Sequence, residues 1–310
     1  MMRVAVFGAG GVGGYFGGRL AQAGAEVVFI ARGEHLRALR THGLRIDSLK
    51  GDFALRSVRA TDNPAEVGAM DTVLVAVKAW QVTEAARAMR PLVGPETFVV
   101  PLQNGVEAPD QLAAVLGARH VVGGLCSIIS FIVGPGHIRH AGAEPYIAFA
   151  ELDNRPSERV ERLRQAFVRA EVKVEIPQDI HVALWEKFLY IASFAGLGAV
   201  TRAPAGILRS LPQTRQMLEQ AMREIFTVAR ARKISLPEET IPRSMAFVDG
   251  LPPDATASMQ RDIMEGRPSE LDFLNGAVVR LGREVGVATP LHFFIYHCLL
   301  PLELRARGEL

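Results

Sequence analysis

Apolar residues in the first hundred positions come in short runs separated by polar, glycine and proline punctuation. "RVAVFGAG" (3–10), "EVVFIA" (26–31), "DTVLVAV" (71–77) and "TFVVPL" (97–102) each read as a buried strand. Helix-like segments lie between several of them, and "GGYFGGRLAQAG" reads as a helix ending at Gly24. Such alternation predicts a parallel sheet covered on both faces. From about 119 the pattern changes to consecutive strands broken by Gly134-Pro135-Gly136. These are expected to extend the same sheet with antiparallel strands. A helix over 156–170 and a short strand "VKVEI" follow. Beyond 180 the period becomes helical, over 180–198, 212–233, 254–265, 270–286 and 290–306. In the fourth of these helices Leu271, Leu274, Val278, Leu281 and Val285 form one apolar stripe. The chain therefore reads as an α/β domain (1–178) followed by an all-helical domain (179–310). "PQD" (177–179) marks the boundary and a candidate hinge, with Asp179 as a helix N-cap.

Composition narrows the function classes. With 49% hydrophobic and 22% charged residues over 310 positions, the balance is that of a globular chain of two-domain size. A formal net charge of +2 gives no electrostatic footprint for nucleic acid. The arginines of "RVERLRQAFVRAE" read as a solvated helix face. Cys126 and Cys298 have no metal-type spacing, His292 and His297 lack a ligand partner, and His140 reads as a strand residue, so no metal is assigned. Two isolated cysteines and no signal-peptide pattern suit a reducing, cytoplasmic setting. The uncharged run Phe188–Thr201 is short for a bilayer, which needs about 20 apolar residues, so no membrane anchor is expected.

The chemistry begins at "GAGGVG" (Gly8, Ala9, Gly10, Gly11, Val12, Gly13). The spacing G-x-G-x-x-G between a strand and a helix suits a dinucleotide. Gly8 permits the turn, Gly10 lets the backbone approach a pyrophosphate, and Gly13 lets helix and strand pack closely. The helix N-terminus then faces the anion. The second strand ends at Arg32 with no acid at its tip, which favours the 2′-phosphate of NADP(H). Lys78 and Asn104 each follow an apolar strand, where parallel sheets present residues to a ligand.

"VALWEKFLYIASFAGLGAV" (182–200) raises the next question: Lys187 stands at the head of a nearly apolar helix. A lysine set there either snorkels past its neighbours or, partly desolvated, gives up a proton.

The motifs "GAGGVGGYFGGRLAQAG", "VKAWQV", "QNGVE", "LWEKF", "SMQRDI" and "SELDFLNG", in this order, resemble the ketopantoate reductase (2-dehydropantoate 2-reductase) family over nearly the whole chain. The resemblance implies a Rossmann-type domain plus a helical domain, with a site in the cleft between them. It implies NADPH-dependent reduction of a 2-oxo acid to a 2-hydroxy acid, as in pantothenate biosynthesis. Lys187 would be the general acid. Asn104 would lie by nicotinamide and substrate, and Lys78 near the cofactor. Ser258 would help bind the substrate carboxylate, and Glu270 would sit beside the cofactor ribose and the lysine. Ser269 is a plausible N-cap that would place Glu270 on the first turn of a helix.

The family usually carries asparagine four and eight residues after the lysine and in a later P-N-G. Here those positions are Ile191, Ala195 and Ala205. The implied partner is a small 2-oxo acid, ketopantoate itself or, with these three positions changed, a less hydroxylated one. Two other readings stay open: a different hydroxyacid or polyol-phosphate dehydrogenase, and an NADP(H)-binding sensor without turnover. The segment 290–310 offers its own core packing, a cover for the cleft or a homodimer face.

Overall fold

The computed structural model describes residues 1–310, the side chain of residue 143 excepted. The chain divides into two compact units, Met1–Gln103 with Ala108–Ile180, and Asn104–Glu107 with His181–Leu310.

The first unit holds strands β1 (Arg3–Phe7), β2 (Glu26–Ile30), β3 (Leu44–Ser48), β4 (Phe53–Leu55), β5 (Arg59–Thr61), β6 (Met70–Val75), β7 (Val93–Pro101), β8 (Val122–Gly134), β9 (His137–Glu151) and β10 (Lys173–Glu175). Its helices are α1 (Gly11–Gln22), α2 (Gly33–His42), α3 (Val82–Ala88), α4 (Ala108–Leu116) and α5 (Glu158–Arg169). One sheet is wholly parallel, in the order β5-β2-β1-β6-β7. Side chains along β1 alternate between its two faces. Val4 and Val6 pack with α1, α5 and the second sheet, through Phe16, Ile46, Phe149 and Phe167. Ala5 and Phe7 pack with α3 and α4, through Val82, Ala86 and Leu112. That two-sided burial explains why these strands read as continuous apolar runs.

Two features differ from the sequence expectation. The strands after 119 do not extend the first sheet. They form a long antiparallel hairpin, β8 with β9, in a second sheet ordered β10-β9-β3-β4. The other strands of that sheet are short. β3 ("LRIDS") carries only two buried apolar positions, and β4 ("FAL") and β5 of the first sheet ("RAT") have three residues each, too few for a pattern to mark them as strands.

The second unit contains α6 (Ile180–Thr201), α7 (Ala205–Ser210), α8 (Pro212–Ala231), α9 (Thr240–Asp249), α10 (Ser258–Met264), α11 (Asn275–Glu284) and α12 (Pro290–Arg307). Helices α7 and α9 are additions to the expected set. The first has only six residues, and Pro242 in the second reads as a breaker. The 254–265 helix starts only at Ser258, after Pro252 and Pro253. The first N–H of α6, at Ile180, donates to Asn154 Oδ1 at 2.9 Å.

By length and composition α6 could cross a membrane, yet 67% of its most apolar window is buried inside the fold. Phe188, Leu189, Ala192, Phe194 and Leu197 belong to the core of the helical unit, so α6 is a core helix. Its glycines allow close approach. A Cβ at Gly196 would lie 2.5 Å from Asn275 Nδ2, and one at Gly198 would lie 2.5 Å from Gln260 Oε1.

Candidate active site

The glycine loop joins β1 to α1 at the carboxyl edge of the parallel sheet, between β2 and β6, where the strand order reverses. Ligands of open α/β sheets bind at that switch point. Gly8 has φ +99°, and its N–H donates to Ile30 O at 3.1 Å. A Cβ there would stand 2.9 Å from the Ala76 carbonyl. A Cβ at Gly13 would stand 2.1 Å from Gly8 O, and one at Gly11 would stand 2.3 Å from Ser130 O. Ser130 Oγ also donates to Gly11 O at 2.9 Å. Ala9 is buried and Val12 packs on the core.

Gly10 is different, because a Cβ built on it meets no atom within 4 Å. It N-caps α1 without a side-chain hydrogen bond, and the first turn carries no acid. Open space over a bare helix N-terminus fits a pyrophosphate. Gly10→Ala is therefore expected to leave the melting temperature nearly unchanged and to weaken NAD(P)H binding. Gly13→Ala should cost roughly 1–3 kcal/mol of stability through overpacking against backbone. Thermal melts paired with cofactor titration check both.

Arg32 follows β2 and N-caps α2 in extended conformation (φ −132°, ψ 163°). Its guanidinium lies 3.6 Å from Glu84, with both side chains 71% exposed, a pairing that competes weakly with a bound anion. Glu34 is engaged with Arg37 at 3.3 Å. Lys78 is exposed at the start of the turn Ala79–Gln81, with Nζ 5.7 Å from the Trp80 ring centroid. Gln103 is buried and donates to Val75 O and Val77 O at 2.9 and 3.0 Å, pinning the chain just before Asn104.

His35 carries no motif and escapes a reading of the sequence. Its Nδ1 accepts the Gly136 N–H at 3.2 Å. Burial holds its pKa below the ordinary value, with the Ala9 backbone acting the other way. It thus ties α2 to the β8–β9 turn.

The helical unit holds the remaining candidates. Lys187 is half-buried on α6, and Glu186 beside it is bound to Arg243 and to Thr240 Oγ1 of α9. One turn on stand Tyr190 and Ile191, both half-buried. Burial pushes the Tyr190 phenol up to about 12, so it keeps its proton. Tyr190 was legible only as an i, i+3 neighbour of Lys187. Ser258 is the exposed first residue of α10.

Asn104 and Glu270, far apart in sequence, meet with Asn104 Nδ2 3.3 Å from Glu270 Oε2. Glu270 is not on the first turn of an α-helix. It precedes a 3₁₀ turn, Leu271–Phe273, and α11 begins only at Asn275. Ser269 still caps locally, since its Oγ accepts the Leu271 N–H at 3.2 Å. The backbone is held from α12 instead. Ser269 N donates to buried Glu303 at 3.0 Å, and Arg307 Nη2 donates to Ser269 O at 3.0 Å.

Of the three positions where the family pattern has asparagine, Ala195 and Ala205 are buried in the helical core. Only Ile191 is partly exposed.

Comparison with known proteins agrees with this geometry. Residues 4–154 match the family model "Ketopantoate reductase PanE/ApbA", and residues 179–303 match its C-terminal counterpart. An uncharacterized oxidoreductase of Bacillus subtilis, YkpB, is 30% identical over 95% of this chain and 97% of its own. A 2-dehydropantoate 2-reductase of Nostoc sp. is 30% identical over 99% of this chain and 98% of its own. The crystal structure of a PanE/ApbA family ketopantoate reductase from Ralstonia eutropha superposes with a TM-score of 0.89 at 33% identity, covering 99% and 100% of the two chains. With two family models covering most of the chain and a relative matched over 99% of it, the chain belongs to the ketopantoate reductase family of NAD(P)H-dependent oxidoreductases.

Proposed function

We propose that the protein reduces a 2-oxo acid to the 2-hydroxy acid with NADPH, Lys187 serving as general acid. The observation that carries this reading is the pairing of Asn104 with Glu270 in the same helical unit as Lys187. When bound, NADPH would supply the hydride for reduction at C2 of the substrate. The C2 oxygen then gains negative charge, and a positioned ammonium that donates its proton there lowers the barrier. Glu270 and Asn104 orient the groups around the lysine, and the Ser258 hydroxyl suits the substrate carboxylate.

NADPH over NADH rests on Arg32, whose planar fork matches a phosphate. Arg32→Ala is expected to raise the KM for NADPH by roughly 10-fold or more, the scale of a charge-assisted hydrogen bond, and to leave NADH use unchanged. An equal loss with both cofactors would overturn that preference.

The substrate side chain is the open variable. Ile191 offers no hydrogen bond one turn beyond Lys187, so a hydroxylated substrate would leave its own group unpaired there. A 2-oxo acid without ketopantoate's hydroxyl is therefore the expected substrate. NADPH oxidation at saturating cofactor, run against ketopantoate and a set of unhydroxylated 2-oxo acids, decides it. Preference for ketopantoate would sink the apolar-substrate idea and place the enzyme in pantothenate biosynthesis. No turnover with any member beside tight NADPH binding would favour a sensor.

A further inference from the structure

The segment Asn104–Glu107 is packed with the helical unit, although it follows β7 in the chain. Three contacts within four residues hold it there. Asn104 Nδ2 lies 3.3 Å from Glu270 Oε2. Gly105, at φ +95°, lies so close to Phe273 that an added Cβ would stand 2.9 Å from its carbonyl oxygen. Arg280 Nη2 donates to Glu107 Oε2 at 2.9 Å.

Arg280 does more than bind Glu107. Its Nη1 donates to Asp272 Oδ1 at 3.0 Å, and Tyr296 OH donates to the same oxygen at 3.0 Å. One guanidinium thus spans two carboxylates. One stands three residues after Asn104, the other two residues after Glu270. Gly276 leaves room for the cluster, since a Cβ there would lie 2.8 Å from Asp272 Oδ1 and 2.9 Å from the Tyr296 ring. Burial pushes the Glu107 carboxyl above its ordinary range, and Arg280 pulls the other way.

We infer that Arg280 is a positioning residue for the reaction: it clamps Glu107 to Asp272 and thereby sets Asn104 against Glu270. This rests on the reductase reading above. The planar fork matters because a lysine ammonium is a single point that cannot hold two carboxylates in fixed directions. Small displacements of positioned groups cost turnover even far from the reacting atoms.

The test compares full-length wild type with Arg280→Met and Arg280→Lys, and adds Asn104→Ala and the double variant Arg280→Met/Asn104→Ala. Arg280→Met is expected to lower kcat by roughly 10-fold or more, with cofactor KM within about 2-fold. The double variant should be no slower than Asn104→Ala alone, because both act on one pair. Arg280→Lys should recover only part of the rate. Hydrogen exchange supplies an arm that needs no substrate: amides in 102–108 and 270–274 should both lose protection in Arg280→Met, while α8 keeps it. Full kcat in a folded Arg280→Met, or additive losses in the double variant, would overturn the clamp. Should wild type turn over none of the 2-oxo acids, the reductase reading fails. The exchange arm then decides the clamp, and unchanged protection in 102–108 sinks it. If Arg280→Met does not fold, Glu107→Gln and Arg280→Lys take its place in both arms.

Discussion

Lys187→Ala is expected to lower kcat for 2-oxo acid reduction by roughly 10²-fold or more, with NADPH affinity retained. The reason is local. Glu186 is taken up by Arg243 and Thr240, so the acid next to the lysine has a structural partner of its own. The neighbours one turn on are Tyr190, whose phenol holds its proton to about 12, and Ile191, which has none to give. On this stretch of α6 the lysine is the group suited to protonate a developing alkoxide. Lys187→Arg separates two roles. Guanidinium keeps the charge but does not release a proton near neutral pH. An Arg variant as slow as the Ala variant supports proton donation. An Arg variant close to wild type would reduce the lysine's role to electrostatic stabilisation, and the general-acid assignment would fall.

The second large effect concerns stability. His292 is fully buried at the start of α12 with both ring nitrogens engaged. Nε2 lies 3.0 Å from Ala221 O, and Nδ1 lies 3.0 Å from Asn275 Nδ2, which also donates to Ala192 O. The neutral ring donates through Nε2 and accepts at Nδ1. A second proton would face the Asn275 amide hydrogens. Burial therefore drives the His292 pKa from 6.5 down to about 4.

A depressed folded value means that, as pH falls through 6.5, the unfolded chain takes up a proton that the fold refuses. Stability present in full above pH 6.5 is then lost between 6.5 and 4, about 3 kcal/mol in all. Glu224 opposes this in part. Its carboxylate accepts the Leu291 and His292 N–H groups, and burial pushes its pKa up, so the fold gains that proton early as pH falls. Denaturant unfolding at a series of pH values, on wild type and His292→Gln, isolates the imidazole. The variant should flatten the slope by about 1.4 kcal/mol per pH unit across that window. Equal slopes in the two proteins would mean that the ring takes up its proton in the folded state as easily as in the unfolded chain.

The sequence marked elements well wherever burial is one-signed. β1, β2, β6 and β7 are apolar because both faces are covered, and that signal is local. The long helices α6, α8 and α12 were equally plain. What failed were elements whose burial comes from distant partners. β3 exists because β9 offers a parallel neighbour about ninety positions away, β4 pairs antiparallel with β3, and the short α7 and proline-bearing α9 are held by packing on α8.

The candidate site divides along the same line. The chain by itself determined the glycine loop, Arg32 at a strand tip, Lys187 within a mostly apolar helix, and the order of motifs that reveals the family. Each depends on residues a few positions apart. Only the tertiary structure decided that Asn104 sits with the helical unit and meets Glu270. It also moved Glu270 off a helix and onto a 3₁₀ entry held from α12. It placed Ala195 and Ala205, where the family usually carries asparagine, in the core. Hydrophobic periodicity reports which face of an element is covered. It does not carry the direction of one side chain, which is set by whatever group the fold brings opposite it.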